Sequence, residues 1–126
     1  MAVHVLIVDD EPSVRTNLAA YLEDEDMCVH ALSSAEHALE LVRSGLKFDV
    51  CVMDMRLPGM NGNEAIRALH AACSGLRFVV HTGTAGYRPP DEFAALGVTP
   101  ARVFRKPLAD MEPLAAAVRE LMKEHG

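Results

Sequence analysis

The chain has 126 residues, half of them hydrophobic and about a quarter charged, with a formal net charge of −6. That length predicts one compact domain over residues 1–126 with a real core, and that composition excludes a disordered chain. The acidic balance argues against direct, sequence-independent binding of nucleic acid, which needs clustered Lys and Arg.

The three cysteines, Cys28, Cys51 and Cys73, are far apart and form no C-x-x-C pair, so neither a zinc site nor a redox pair is signalled. Such usage suits a reducing cytoplasm, the expected location. The N-terminus lacks the charged and long apolar regions of a signal peptide, and no apolar run approaches the ~20 residues that cross a bilayer. No membrane role is expected.

In chain order, short apolar runs alternate with helix-period segments. Val3–Val8 reads as a strand that stops at Asp9-Asp10-Glu11-Pro12. Pro12 suits the first turn of a helix carrying Leu18, Tyr21 and Leu22. That helix ends in the solvated acids Glu23–Asp26. Cys28–Leu32 is a second strand, and Ser33 or Ser34 caps a helix whose apolar face is Ala35, Ala38, Leu39 and Val42. Gly45 stops it. Asp49–Met53 is a third strand. It meets Asp54 and a turn-rich loop, Arg56-Leu57-Pro58-Gly59-Met60-Asn61-Gly62. A helix over about Asn63–Ala72 follows, then a strand at Arg77–His81 that stops at Thr82-Gly83-Thr84. Asp91–Leu96 is a short, atypical fourth helix in a proline-rich stretch. Arg102–Arg105 is a fifth strand stopped by Lys106-Pro107. A last helix spans about Asp110–Lys123.

Five strands alternating with helices predict an α/β fold with a doubly wound, five-stranded parallel sheet. The flavodoxin-like order 2-1-3-4-5 is the expected one. In such sheets a ligand sits beyond the carboxyl ends of the strands, where strand order reverses. Those ends carry Asp9-Asp10, Asp54, Thr82 and Lys106. Carboxylates brought together repel unless a cation intervenes. A hard cation with oxygen ligands resolves this, and Mg²⁺ is the usual choice where phosphate is handled. An Asp carboxylate can itself accept a phosphoryl group. An ammonium, a hydroxyl and loop amides then supply the positioning and charge neutralisation such transfer needs.

The stretches Val8-Asp9-Asp10-Glu11-Pro12 and Met53-Asp54-Met55-Arg56-Leu57-Pro58-Gly59-Met60-Asn61-Gly62, with Thr82 and Lys106-Pro107, resemble the receiver domain of two-component response regulators. The resemblance covers essentially the whole chain. It implies that Asp54 is the phosphoacceptor, taking the phosphoryl group from a phosphohistidine on a sensor histidine kinase or phosphotransfer protein. It implies Mg²⁺ held by Asp10, Asp54 and the backbone carbonyl of Arg56, with Asp9 assisting through water. It further implies Lys106 and Thr82 on the phosphoryl oxygens, and the backbone amides of Met55 and Gly83 in the cradle. The output surface it implies is the fourth helix, fifth strand and last helix, meeting a partner or a second copy. Such a domain is a switching module, not an enzyme acting on an external substrate.

One departure concerns that switch. The family carries Tyr or Phe three residues before the lysine, and this chain carries Val103. Phe104 comes one residue late, and strand alternation turns it to the opposite face. Tyr87 is the candidate substitute. His81 reads as a packed strand-end residue rather than a catalytic base. The residues also bear on three rival readings. A Mg²⁺-dependent Asp-nucleophile phosphohydrolase would want an acid two residues after Asp54, where Arg56 stands. A flavodoxin-like carrier would want a phosphate loop after the first strand, where two aspartates stand. A degenerate, scaffold-only receiver is disfavoured by the intact acidic set.

Overall fold

A computed structural model of the chain describes residues 2–125. Five strands form one all-parallel sheet in the order β2-β1-β3-β4-β5. They are β1 (His4–Val8), β2 (Cys28–Leu32), β3 (Val50–Met53), β4 (Arg77–Thr82) and β5 (Val103–Arg105). The helices are α1 (Pro12–Asp24), α2 (Ala35–Arg43), α3 (Gly62–Ala72) and α4 (Glu112–His125). The fold class and strand order match the sequence expectation.

Strand alternation divides the core into two layers. Leu6, Val8, Cys51, Met53, Phe78 and Val80 point one way and meet Ala38, Leu39, Ile66 and Leu69 of α2 and α3. Val5, Ile7, Val50, Val52 and Val79 point the other way and meet Leu18 and Leu22 of α1 and Leu114, Val118 and Leu121 of α4. Burial on both faces explains why β1 and β3 read as unbroken apolar runs. The same alternation sends Val103 and Phe104 to opposite faces, Val103 against the α2–α3 layer and Phe104 against the α1–α4 layer.

The helix starts have local causes. Pro12 occupies the first turn of α1. Ser34, not Ser33, caps α2 by accepting from the His37 amide at 3.2 Å. Asn61 and Glu64 form a reciprocal capping box, which starts α3 at Gly62, one residue earlier than the sequence suggested. The largest departure is the link from β4 to β5. Asp91–Leu96 forms a 3₁₀ helix rather than an α-helix, followed by a second 3₁₀ turn at Pro100–Arg102. Pro89 and Pro90 stand before this six-residue stretch, and Gly97 ends it at φ 95°. The left-handed backbone at Gly97 favours glycine, and a Cβ there would also press on the end of the Leu121 side chain. Among the described residues no helix is long and apolar enough to cross a membrane.

Candidate functional site

The carboxyl ends of β1, β3, β4 and β5 bring the sequence-predicted polar residues to one edge. Asp9 and Asp54 are each nearly fully buried, at 2 % and 3 % exposure, while Asp10 and Glu11 lie at the surface. Register explains the depth. Val8 pairs with Met53 across β1 and β3, so the next residue on each strand, Asp9 and Asp54, sits just past the last rung of the ladder. The Asp54 amide donates to the Val8 carbonyl at 3.0 Å, and the Asp9 amide to the Leu32 carbonyl at 3.0 Å. Both side chains are thereby held over an apolar floor.

Lys106 closes the cluster from β5. Its Nζ lies 2.7 Å from Asp9 Oδ2, 2.9 Å from Glu11 Oε1 and 3.1 Å from Asp54 Oδ2. The Lys106 amide donates to the Thr82 carbonyl at 2.9 Å, which continues the ladder one step beyond β5 and aims the side chain back at the site. The following Lys106–Pro107 peptide is cis. Burial alone pulls an ammonium's pKa down, but the hydrogen bonds to Asp9, Glu11 and Asp54 outweigh it, so Lys106 stands above its ordinary value and stays charged. Burial pushes the Asp9 carboxyl up; Lys106 and the Glu11 amide, which donates to Asp9 Oδ1 at 3.0 Å, pull partly against it. Arg15 donates to the Asp9 carbonyl at 2.7 Å and anchors the loop to α1.

The cluster meets the requirements of a hard cation. Asp9, Asp10, Glu11 and Asp54 each offer a carboxylate oxygen, and these atoms all lie within 4.8 Å of one another. All are oxygen donors, the chemistry that suits Mg²⁺ or Ca²⁺ rather than a soft metal. Asp9, expected to assist at a metal, contacts Lys106 directly. Glu11, which the sequence reading left out of the site, contributes a carboxylate to both the cluster and Lys106. Its place just ahead of Pro12 was visible, but an exposed acid at a helix start reads first as a partner for the helix dipole.

The remaining predicted residues fall as follows. The Arg56 side chain is exposed, and its amide donates to Asp54 Oδ1 at 3.3 Å, which steadies that carboxylate. Met55 is buried beside Gly62. Gly83 is exposed, and a Cβ there would meet nothing within 4 Å. Thr82 is fully buried, and its hydroxyl is engaged with Thr84: it donates to Thr84 Oγ1 and accepts from the Thr84 amide, both at 3.2 Å. Gly62 was missed. A Cβ there would sit 2.6 Å from the Asp54 carbonyl and 2.7 Å from Met55 Cα, so the first turn of α3 rests directly on the backbone that carries Asp54.

His81 neighbours this site on the α1 side, lining a cavity of about 360 Å³ together with Glu11, Asn17, Lys106 and Leu108. It is 5 % exposed and neither ring nitrogen has a hydrogen-bond partner. Burial, then the Lys106 charge, press its pKa down to about 4, so the ring is neutral at pH 7. The unfolded chain, with an ordinary value of 6.5, takes up a proton here that the folded chain refuses. The folded state's advantage is therefore full above pH 6.5 and declines as pH falls through about 4. The substitution His81→Leu is expected to raise stability at pH 7 by about 1–2 kcal/mol, because two unpaired buried nitrogens disappear. It should also flatten stability between pH 6.5 and 4. Urea unfolding at pH 7 and pH 5 checks both, and an equal acid loss in variant and parent would contradict the assignment.

A doubly wound α/β sheet with an acidic cluster at its switch point and a lysine after the last strand closing it defines a class of α/β domains with a charged site at the sheet edge. Comparison with known proteins makes the class specific. The family model described as response regulator receiver domain matches residues 5–119. The chain belongs to that family. It is 37% identical over 82 residues to the DNA-binding response regulator MtrA of Mycolicibacterium smegmatis, covering 65% of this chain and 35% of that protein. To the transcriptional regulatory protein FixJ of Azorhizobium caulinodans it is 32% identical over 114 residues, covering 89% of this chain and 52% of FixJ. The chain thus spans about a third to a half of these relatives. Among solved structures, a response regulator receiver protein from Sinorhizobium medicae superposes with a TM-score of 0.81 at 28% identity, over 99% of this chain and 98% of that one.

Proposed function

We propose that the chain is the phosphoacceptor module of a two-component relay, with Asp54 the residue phosphorylated. The observation that supports this most is the convergence of Asp9, Glu11 and Asp54 on one ammonium, Lys106, at the switch point of the sheet. A buried carboxylate held beside a fixed cation, with an amide on its other oxygen, is oriented as a nucleophile and has its product charge provided for in advance.

In the step proposed, an Asp54 carboxylate oxygen attacks the phosphorus of a phosphohistidine. A P–O bond forms as the P–N bond breaks, and the imidazole nitrogen leaves with the bonding pair and takes a proton from solvent. A bound Mg²⁺, held by Asp10 and Asp54 with the Arg56 carbonyl and with Asp9 and Glu11 alongside, would neutralise charge on the phosphoryl oxygens. Lys106 exchanges one carboxylate partner for a phosphoryl oxygen without losing its charge. The hydroxyl of Thr82 turns from Thr84 to the phosphoryl group, and the amides of Met55 and Gly83 complete the cradle. The product is a mixed anhydride, so slow self-hydrolysis is expected. The phosphoryl group adds ~1.5–2 negative charges, which bias a two-state arrangement of the β4–β5 link. That surface and α4 would meet an output partner or a second copy. The phosphodonor is a histidine kinase or phosphotransfer protein; the relative called sensor kinase CckA, from Brucella abortus, is 29% identical over 95% of this chain and matches over 12% of its own length.

The test is incubation with Mg²⁺ and acetyl phosphate. The parent should gain one phosphoryl group, stable in acid and labile in base, and Asp54→Ala should gain none. Equal labelling of the two, or Mg²⁺ binding with no labelling of the parent, rules the assignment out.

A further inference from the structure

Two loops flank Asp54: residues 55–61, which run into α3, and residues 83–90, which follow β4. They are tied to each other. The Tyr87 hydroxyl donates to Asn63 Oδ1 in the first turn of α3 at 2.6 Å. One turn further along α3, Arg67 lies 5.1 Å above the ring of Phe93 and forms an ion pair with Glu92 at 2.8 Å. The Arg67–Glu92 pair is more than half exposed and contributes little by itself. The Tyr87 bond is partly buried, so it carries more of the tie. At the root of the same loop, Thr84 occupies both bonds of the Thr82 hydroxyl.

Beside Tyr87 there is room to move. A groove of about 600 Å³, lined by Thr84, Gly86, Tyr87, Val103 and Arg105, runs along β5. Valine at 103 is too small to fill it. Gly86, next to Tyr87, has φ 72° and nothing within 4 Å of a Cβ built on it. It gives the loop a residue free to change its backbone angles.

We propose that Thr84 and the Tyr87–Asn63 pair form a latch that holds the β4–β5 link in its resting position and that phosphorylation opens. This rests on the phosphoacceptor reading of Asp54. Thr82 cannot bond a phosphoryl oxygen and keep its donor bond to Thr84, so recruitment of Thr82 releases Thr84. The loop then draws toward Asp54, the Tyr87 phenol leaves Asn63, and the ring comes to lie over Val103. Thr84, Asn63 and Tyr87 are positioning residues: none reaches the reacting atoms. The consequence is a switch read through α3 as well as through β5, because the bond that breaks is anchored on α3.

The chain has only two tyrosines, Tyr21 and Tyr87, which makes the latch observable. Tyrosine labelled with ¹³C at Cζ gives two resonances, assigned by Tyr87→Phe. With Mg²⁺ and beryllofluoride, a phosphoryl mimic, the Tyr87 resonance should move toward that of a phenol free of Asn63, and the Tyr21 resonance should stay. Asn63→Ala should place the Tyr87 resonance at the moved position without any addition. Thr84→Val, which leaves Thr82 no side-chain partner in the loop, should tighten beryllofluoride binding about three- to tenfold, since the resting state is then less favoured. Saturable binding, measured by calorimetry, with the Tyr87 resonance unmoved and Thr84→Val unchanged in affinity overturns the latch while leaving the phosphoacceptor reading intact. Absence of any Asp54-dependent binding or labelling overturns both.

Discussion

Replacing Lys106 by alanine is expected to destabilise the chain by about 3 kcal/mol at pH 7 in the absence of divalent cations, the scale for removing one partner of a buried ion pair. The loss comes from what stays behind. Asp9 and Asp54 are almost inaccessible to water, and both lean on the same ammonium. Without it, two buried carboxylates and Glu11 face one another with no cation between them, and each raises the energy of the others' charged forms. Two further outcomes follow from the same charges. Lowering the pH should narrow the gap between variant and parent as Asp9, whose carboxyl burial holds above its ordinary value, takes up a proton. Adding Mg²⁺ should stabilise the variant more than the parent, because Lys106 no longer competes for Asp9 and Asp54, and a cation bound only by the folded state stabilises it by mass action. Urea unfolding of Lys106→Ala, with Lys106→Met as a volume control, measures all three. Equal Mg²⁺ responses in variant and parent would show that Lys106 and the cation do not share a site.

The second large effect belongs to a residue with no side chain. Gly62→Ala drives a methyl group to within 2.6 Å of the Asp54 carbonyl and 2.7 Å of Met55 Cα. Backbone cannot step aside as the end of a flexible side chain can, so either α3 lifts or the Asp54 loop shifts. Overpacking of this kind costs about 1–3 kcal/mol. A displacement of about 1 Å at a nucleophile lowers reactivity by about a hundredfold. The variant should therefore lose several degrees of melting temperature and label far more slowly with acetyl phosphate. Gly83→Ala is the control: its methyl group meets open space, and stability should change by less than about 0.5 kcal/mol. A Gly62→Ala protein that labels at the parent's rate would sever Gly62 from the chemistry.

These residues also mark what a sequence can and cannot disclose here. Asp9 and Asp54 were legible because each directly follows an apolar run, and Lys106 because it follows the last strand ahead of Pro107; parallel-sheet topology carries such residues to one edge. Thr82 was legible as a strand-end hydroxyl, and β4 extends one residue beyond the expected Arg77–His81 to include it. Glu11 and Gly62 were not legible. An acid ahead of Pro12 looks like a helix-start charge, and a glycine in a loop of turn residues looks like a turn. Their roles depend on distances to Lys106 and to the Asp54 backbone, which no local pattern encodes. The segment Asp91–Leu96 was correctly read as short and atypical. Its 3₁₀ form follows from prolines before it, a left-handed glycine after it and close packing of Gly97 on Leu121. The opposite faces of Val103 and Phe104 needed only the two-residue period of a strand. The neighbourhood of Tyr87 and Asn63, 24 residues apart, needed the fold.

The position of Lys106 along the chain has a consequence for how the protein comes into being. Its partners Glu11 and Asp54 lie 95 and 52 residues earlier. Contacts of such long sequence separation require large loops to close before they return any energy, and they form slowly. During synthesis, strands β1 and β3 and their acids emerge well before β5 does. A growing chain therefore carries the anionic half of the site without its cation, and an N-terminal fragment ending before residue 106 would hold charges with nothing to balance them. The last strand to be made is the one that completes the pocket, so a finished site certifies a finished sheet.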